Sequence, residues 1–123
     1  MIRGIVTSQL EPVIRLTVLG QRGKRLKIDA VIDTGFNGDL SLPPELIHSL
    51  GLSWRRRGRA TLADGTESLF DIYNAAAIWD RRRKPIKVDE ADATPLIGMA
   101  LLDGYELRVE AWPGGRVAIT KRR

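Results

Sequence analysis

Two stretches of alternation, Pro12 to Leu19 and Leu26 to Ile32, constrain this chain more than any other feature in it. In the first, Ile14, Leu16 and Val18 share one face while Arg15 and Thr17 take the other; in the second, Leu26, Ile28, Ala30 and Ile32 share a face. A period of two is the signature of a half-buried strand, and the polar Gly20 to Lys24 between them reads as a turn, so these residues predict a β-hairpin. The second strand runs without interruption into Asp33-Thr34-Gly35. Alone, that tripeptide suits an ordinary turn, since Asp bonds its own backbone and Gly supplies positive φ. A carboxylate at the end of a buried strand is a chemical candidate only if the rest of the chain builds a site around it.

Further strand signals follow. Glu45 to Leu50 carries Leu46, Ile47 and Leu50 near helical spacing before Gly51, which predicts one short helix of about two turns. Asp64-Gly65 stands between two strand-like stretches, the strongest short-range signal for a tight hairpin. Tyr73 to Trp79 and Pro85 to Val88 bracket a basic turn, and an acidic loop, V-D-E-A-D-A-T, leads to Leu96-Ile97-Gly98. Met99 to Leu102 reads as a second short helix. Tyr105, Leu107 and Val109 alternate before Pro113-Gly114-Gly115, and Val117 to Thr120 completes a last hairpin.

Composition narrows the classes. With 123 residues and no repeat, linker or composition break, the chain is expected to be a single domain over 1–123. It has no cysteine and one histidine, which excludes a disulfide scaffold and any thiolate or multi-histidine metal site. Asp89, Glu90 and Asp92 form an acidic stretch that nothing nearby completes into a cage, so no metal and no cofactor are expected. His48 is read as an ordinary helix residue, and Trp54, Trp79 and Trp112 as core or interface aromatics. No apolar run approaches the ~20 residues of a membrane span, and the N-terminus lacks a secretory apolar core, so a cytoplasmic protein without membrane contact is expected. The net charge of +5 sits in runs at Arg55 to Arg59, Arg81 to Lys84 and Lys121 to Arg123. These lack the interleaved aromatics of a stacking surface, which argues against nucleic acid as the partner.

Three features now stand in order: Asp33-Thr34-Gly35 at a strand end, a tight hairpin about thirty residues later, and Leu96-Ile97-Gly98 another thirty on. This order resembles the retropepsin-like aspartic proteases, and the A-D-G and L-I-G-M segments are similar to those of small bacterial members. The resemblance spans about Pro12 to Glu110. It implies an all-β, closed-barrel acid-protease fold with one or two short helices and aspartic endopeptidase activity. It further implies that Asp33 is catalytic, with Thr34 and Gly35 in support. Asp64 and Gly65 would tip a flap whose apolar contacts are Leu62, Ala63 and Leu69, and Leu96, Ile97 and Gly98 would pack beside the catalytic loop. Two positions depart from the family pattern: Phe36 follows the triplet where Ala or Ser is common, and Met99 stands where retroviral members carry Arg.

Hydrolysis by carboxylates needs one ionised group to take a proton from water and one protonated group to polarise the carbonyl. Asp33 cannot be both, and neither Asp64 nor Asp103 has a hydroxyl residue before its glycine. A two-fold homodimer would supply the second carboxylate, because a residue on the axis meets its own copy. The partners expected are therefore a second copy and a peptide or protein substrate. Two readings compete at the level of sequence: a catalytically silent peptide-binding module of the same fold, and a basic nucleic-acid-associated protein in which Asp33-Thr34-Gly35 is only a turn.

Overall fold

Both alternating stretches form strands where their pattern places them. The computed structural model describes residues 1–123 and contains ten strands and two helices. The strands are β1 (Ile2–Val6), β2 (Pro12–Leu19), β3 (Arg25–Ile32), β4 (Leu40–Leu42), β5 (Ser53–Thr61), β6 (Glu67–Trp79), β7 (Arg82–Glu90), β8 (Leu96–Ile97), β9 (Tyr105–Val109) and β10 (Arg116–Lys121), with α1 (Pro44–Leu50) between β4 and β5 and α2 (Met99–Leu102) between β8 and β9.

The strands share one sheet in the order β5-β6-β7-β4-β8-β3-β2-β1-β10-β9. An additional pairing of β6 with β2, Thr17 opposite Ile78 and Leu19 opposite Ala76, turns the sheet back on itself. The strands from β2 through β3, β8, β4 and β7 to β6 thereby close a circuit around the core. Ile14, Leu16 and Val18 from β2 and Ile28, Ala30 and Ile32 from β3 are all buried there, which is the face that the alternation marked. Leu40 and Leu42, Val88, Ile97, Leu101 and Ile119 complete this interior.

Two local features position the site. β3 runs parallel to β8, with Val31 opposite Leu96 and Ile32 opposite Ile97, while β8 runs antiparallel to β4, with Leu40 opposite Ile97. The end of β3 is therefore delivered beside Leu96-Ile97-Gly98. The hairpin of β5 and β6 continues past the barrel from Trp54 opposite Tyr73 to Thr61 opposite Glu67, its regularity broken by a bulge between Trp54 and Arg56. β6 is continuous, so the hairpin arm and a barrel strand are one element.

Candidate active site

Asp33 lies just beyond β3, half-buried, and its Oδ1 accepts a hydrogen bond from the Gly35 N–H at 2.9 Å. The Phe36 N–H donates to the Asp33 carbonyl at 3.1 Å, which closes the turn. Four further backbone bonds fasten this loop to the end of β8 and the segment after it. The Asp33 N–H donates to Ile97 O (2.9 Å), Gly98 N–H to Asp39 O (3.0 Å), Met99 N–H to Phe36 O (2.8 Å) and Ala100 N–H to Gly38 O (3.1 Å). Free donors at the start of α2 are thus satisfied by the loop carbonyls, and the helix needs no side-chain cap.

This close approach explains the glycine in Leu96-Ile97-Gly98. A Cβ at position 98 would lie 2.2 Å from Gly38 O, 2.7 Å from Phe36 O and 2.7 Å from the Phe36 ring, so only hydrogen fits there. The Phe36 ring also lies against Gly38, where a Cβ would stand 2.6 Å from its tip. The bulky residue after the triplet is therefore accommodated by two glycines, and it packs on the loop's own backbone.

The hairpin tip is a tight turn, with the Gly65 N–H donating to Leu62 O and the Leu62 N–H to Thr66 O. Asp64 Oδ1 accepts from the Thr66 hydroxyl at 2.6 Å and from its N–H at 2.9 Å. These bonds, the hydroxyl's foremost, hold the Asp64 carboxyl below the ordinary carboxylate range. Leu62, Ala63 and Leu69 are exposed, Leu62 at 50% and Leu69 at 56%.

Between the hairpin arm and the Asp33 loop lies a cleft of about 330 Å³. Gly38, Asp39 and Ala100 form one wall, Arg56, Gly58, Phe70 and Ile72 the other, and Lys87 and Asp89 reach in from β7. Leu69 alternates with Phe70 along β6, so Phe70 is the residue turned into the cleft. Asp89 is half-buried here, and burial first, then the neighbouring Asp39, pushes its pKa up against the opposing pull of Arg56. Asp39 accepts from the Lys87 N–H at 2.9 Å. Sequence reasoning placed Asp89 in an acidic loop and did not single out Phe70, Arg56 or Gly58. The bulge between Trp54 and Arg56 shifts the alternation of β5, so the face of Arg56 and Gly58 does not follow from counting along the strand from Trp54.

Thr34 is exposed and lines a second concavity of about 550 Å³ together with Asn37, Met99, Leu102, Tyr105 and Leu107. The triplet and Leu96-Ile97-Gly98 are thus brought together, whereas the exposed hairpin tip makes no hydrogen bond to the Asp33 loop. Of the tryptophans, Trp79 is in the core, while Trp54 and Trp112 are exposed. The arginine runs lie on strands and turns: Arg57 faces Asp71 at 3.5 Å and Arg59 faces Glu67 at 3.6 Å, both pairs on the hairpin arm.

No family model matches the chain, and no curated protein matches it. Solved structures do. The crystal structure of a retropepsin-like aspartic protease from Rickettsia conorii superposes with a TM-score of 0.63 at 18% identity, over 98% of this chain and 89% of the other. EIAV protease complexed with the inhibitor HBY-793 superposes with a TM-score of 0.55 at 15% identity, over 75% of this chain and 85% of the other. The chain has the retropepsin-like fold.

Proposed function

We propose that this chain is one half of a homodimeric aspartic endopeptidase, a single domain whose two Asp33 carboxylates meet on a two-fold axis. The observation that carries this reading is the seating of Asp33-Thr34-Gly35. The carboxylate is half-exposed, its loop is tied by four backbone bonds to the Gly98 segment, and Gly38 and Asp39 of that loop wall a cleft whose other wall is the β-hairpin arm. The retropepsin-like fold of the two aspartic proteases above supports it.

In such a dimer one carboxylate is ionised and the other protonated, because two adjacent negative charges repel; this sharing of a proton is a known property of aspartic-protease dyads. The ionised Asp33 takes a proton from the attacking water while the protonated one donates its hydrogen to the substrate carbonyl oxygen. The tetrahedral intermediate then collapses as a proton passes to the leaving amine. Thr34 stands at the surface beside the axis, where it supports the loop against its mate, and Gly35 fixes one Asp33 oxygen through its N–H. The substrate enters as an extended strand between loop and hairpin, where edge backbone groups bind peptides. Closure of the hairpin, with Asp64 and Gly65 at its tip and Leu62, Ala63 and Leu69 as apolar contacts, excludes water.

The test is cleavage of a mixed peptide library by wild type and Asp33→Asn between about pH 4 and pH 8, where a shared proton titrates. Asn keeps the shape and loses the charge, so activity should vanish while circular dichroism is unchanged. Cleavage by the wild type should also be blocked by a statine-type mimic of the tetrahedral intermediate. Undiminished cleavage by the Asn variant would reduce Asp33 to a turn residue, and silence of a folded wild type would leave a peptide-binding module.

A further inference from the structure

We infer that the outer face of β7, β6, β2 and β3 is a second binding surface, contiguous with the cleft, that takes an acidic segment flanking the cleaved bond of a polypeptide substrate. The inference rests on the protease reading above and narrows its substrate class. Strand register defines the face, because residues directly opposite in antiparallel strands point to the same side. Arg83 lies opposite Ile78, Ile78 opposite Thr17 and Thr17 opposite Lys27, so these four form one row across four strands. Pro85, Ala76, Leu19 and Arg25 form the next row. Their neighbours along each strand, Ile86, Ala77, Val18 and Ile28, are buried in the core, which leaves both rows on the outside of the barrel.

Charge on this face has one sign. Arg83 stands on one flank and Arg25 and Lys27 on the other, about 14 Å away at three strand spacings, with the uncharged floor of Ile78, Thr17, Leu19 and Ala76 between them. All three cations are exposed, and none forms an ion pair within the chain. The carboxylates at its border are already engaged: Asp29 by Arg15 at 3.2 Å, and Asp80, just after β6, by the N-terminal amine at 3.1 Å. Unpaired charges of one sign on a common face concentrate the opposite sign from solution.

Alternation along β7 joins the face to the cleft and points to one occupant for both. Asp89, Lys87, Pro85 and Arg83 share one side of that strand, and the first two line the cleft. Arg83 is six residues from Asp89, or about 20 Å along the strand. An extended substrate lying along β7 therefore brings to Arg83 a residue about six positions from the one seated beside Asp89. A lipid surface or a single-stranded polynucleotide matches the face less well. None of the chain's large exposed apolar side chains lies on it for insertion among lipids, and neither row carries an aromatic ring on which bases could stack.

Binding and cleavage test the face separately. Two mixed-core peptide libraries carry a run of Glu or a run of Gln about four to eight residues to either side of the centre of the core. Asp33→Asn protein, which leaves peptides intact, should bind the Glu library about tenfold more tightly than the Gln library at low salt, as a few exposed ion pairs would give, measured by fluorescence anisotropy. That preference should fade as salt rises and disappear in protein that also carries Arg83→Glu and Lys27→Glu, with circular dichroism unchanged. Wild type should cleave the Glu library with a kcat/KM about tenfold higher, the difference lying in KM. Equal binding of the two libraries, or a preference that survives both charge reversals, overturns the inference. Tighter binding of a duplex oligonucleotide or of phosphatidylserine vesicles through the same two cations also overturns it, because the face then serves another partner. A preference in binding with no cleavage by wild type sustains the face for acidic polypeptides and refutes the protease, whereas cleavage of both libraries at equal rates does the reverse.

Discussion

Replacing Gly98 by alanine forces a methyl group into a space that the Asp33 loop already fills. The new Cβ would lie 2.2 Å from Gly38 O and 2.7 Å from both the Phe36 ring and Phe36 O. Two of these three neighbours are backbone oxygens that accept the Ala100 and Met99 N–H groups, so relief requires moving the loop off α2 and weakening both bonds. Overpacking costs about 1–3 kcal/mol, and each weakened hydrogen bond about 1 kcal/mol. A total of about 3 kcal/mol follows, because relaxation avoids part of each contribution. A chain of 123 residues has an unfolding entropy of about 0.26 kcal/mol/K at its midpoint, so Tm should fall by roughly 12 °C. Gly65→Ala is the control. Gly65 has φ +87° but open space around it, so only the left-handed backbone strain of about 1 kcal/mol applies, or roughly 4 °C. Thermal melts by circular dichroism at equal protein concentration measure both. A Gly98→Ala protein melting within about 2 °C of wild type would refute the claim that position 98 clamps the loop.

Other outcomes follow from the same structure. Deleting Asp64 and Gly65 should cut peptide turnover by at least about tenfold and move Tm by less than about 3 °C, because the tip is exposed; global unfolding would make the hairpin part of the core. Specific activity per chain should fall on dilution in parallel with the dimer fraction seen by light scattering, and constant activity from a proven monomer would contradict a shared site. Asp89 has a folded-state pKa raised by burial and by Asp39, so its contribution favours the fold below the unfolded carboxylate value and is lost as pH rises through the raised one. Asp89→Asn should therefore lessen the decline of Tm above about pH 4, and an unchanged Tm profile between pH 3 and about 8 would show that Asp89 is not strained.

Much of this architecture was legible because β structure announces itself through alternation, and the barrel strands β2 and β3 are cleanly one-sided. The Asp64-Gly65 turn, α1 ending at Gly51 and α2 were legible for similarly local reasons. β4 was not: three residues, Leu40, Ser41 and Leu42, are all buried, and a strand buried on both faces has no alternation to read. β1 was hidden by Gly4, which interrupts its apolar pattern yet is required, since a Cβ there would meet Val13 O at 2.1 Å. The acidic stretch misled in the opposite direction, because Asp89 and Glu90 complete β7 beside the cleft. Within the candidate site, chemistry was carried by local motifs, whereas the cleft wall of Arg56, Gly58 and Phe70 depends on which face of a bulged hairpin turns inward. No local pattern encodes that.

Dividing a catalytic pair between two copies also changes which equilibrium bears its electrostatic cost. A chain folds with a net stability of only about 5–15 kcal/mol, and two carboxylates held in contact subtract from it as soon as both are ionised. In the single chain Asp33 is half-exposed and one of its oxygens is occupied by the Gly35 N–H, so folding confronts one solvated carboxylate and no repulsion. In the proposed dimer the repulsion arises only on association, where the contacts between the two copies oppose it. Association, unlike folding, also responds to concentration and pH. A site divided in this way is silent while chains are dilute and is completed when they accumulate or when the medium supplies the shared proton.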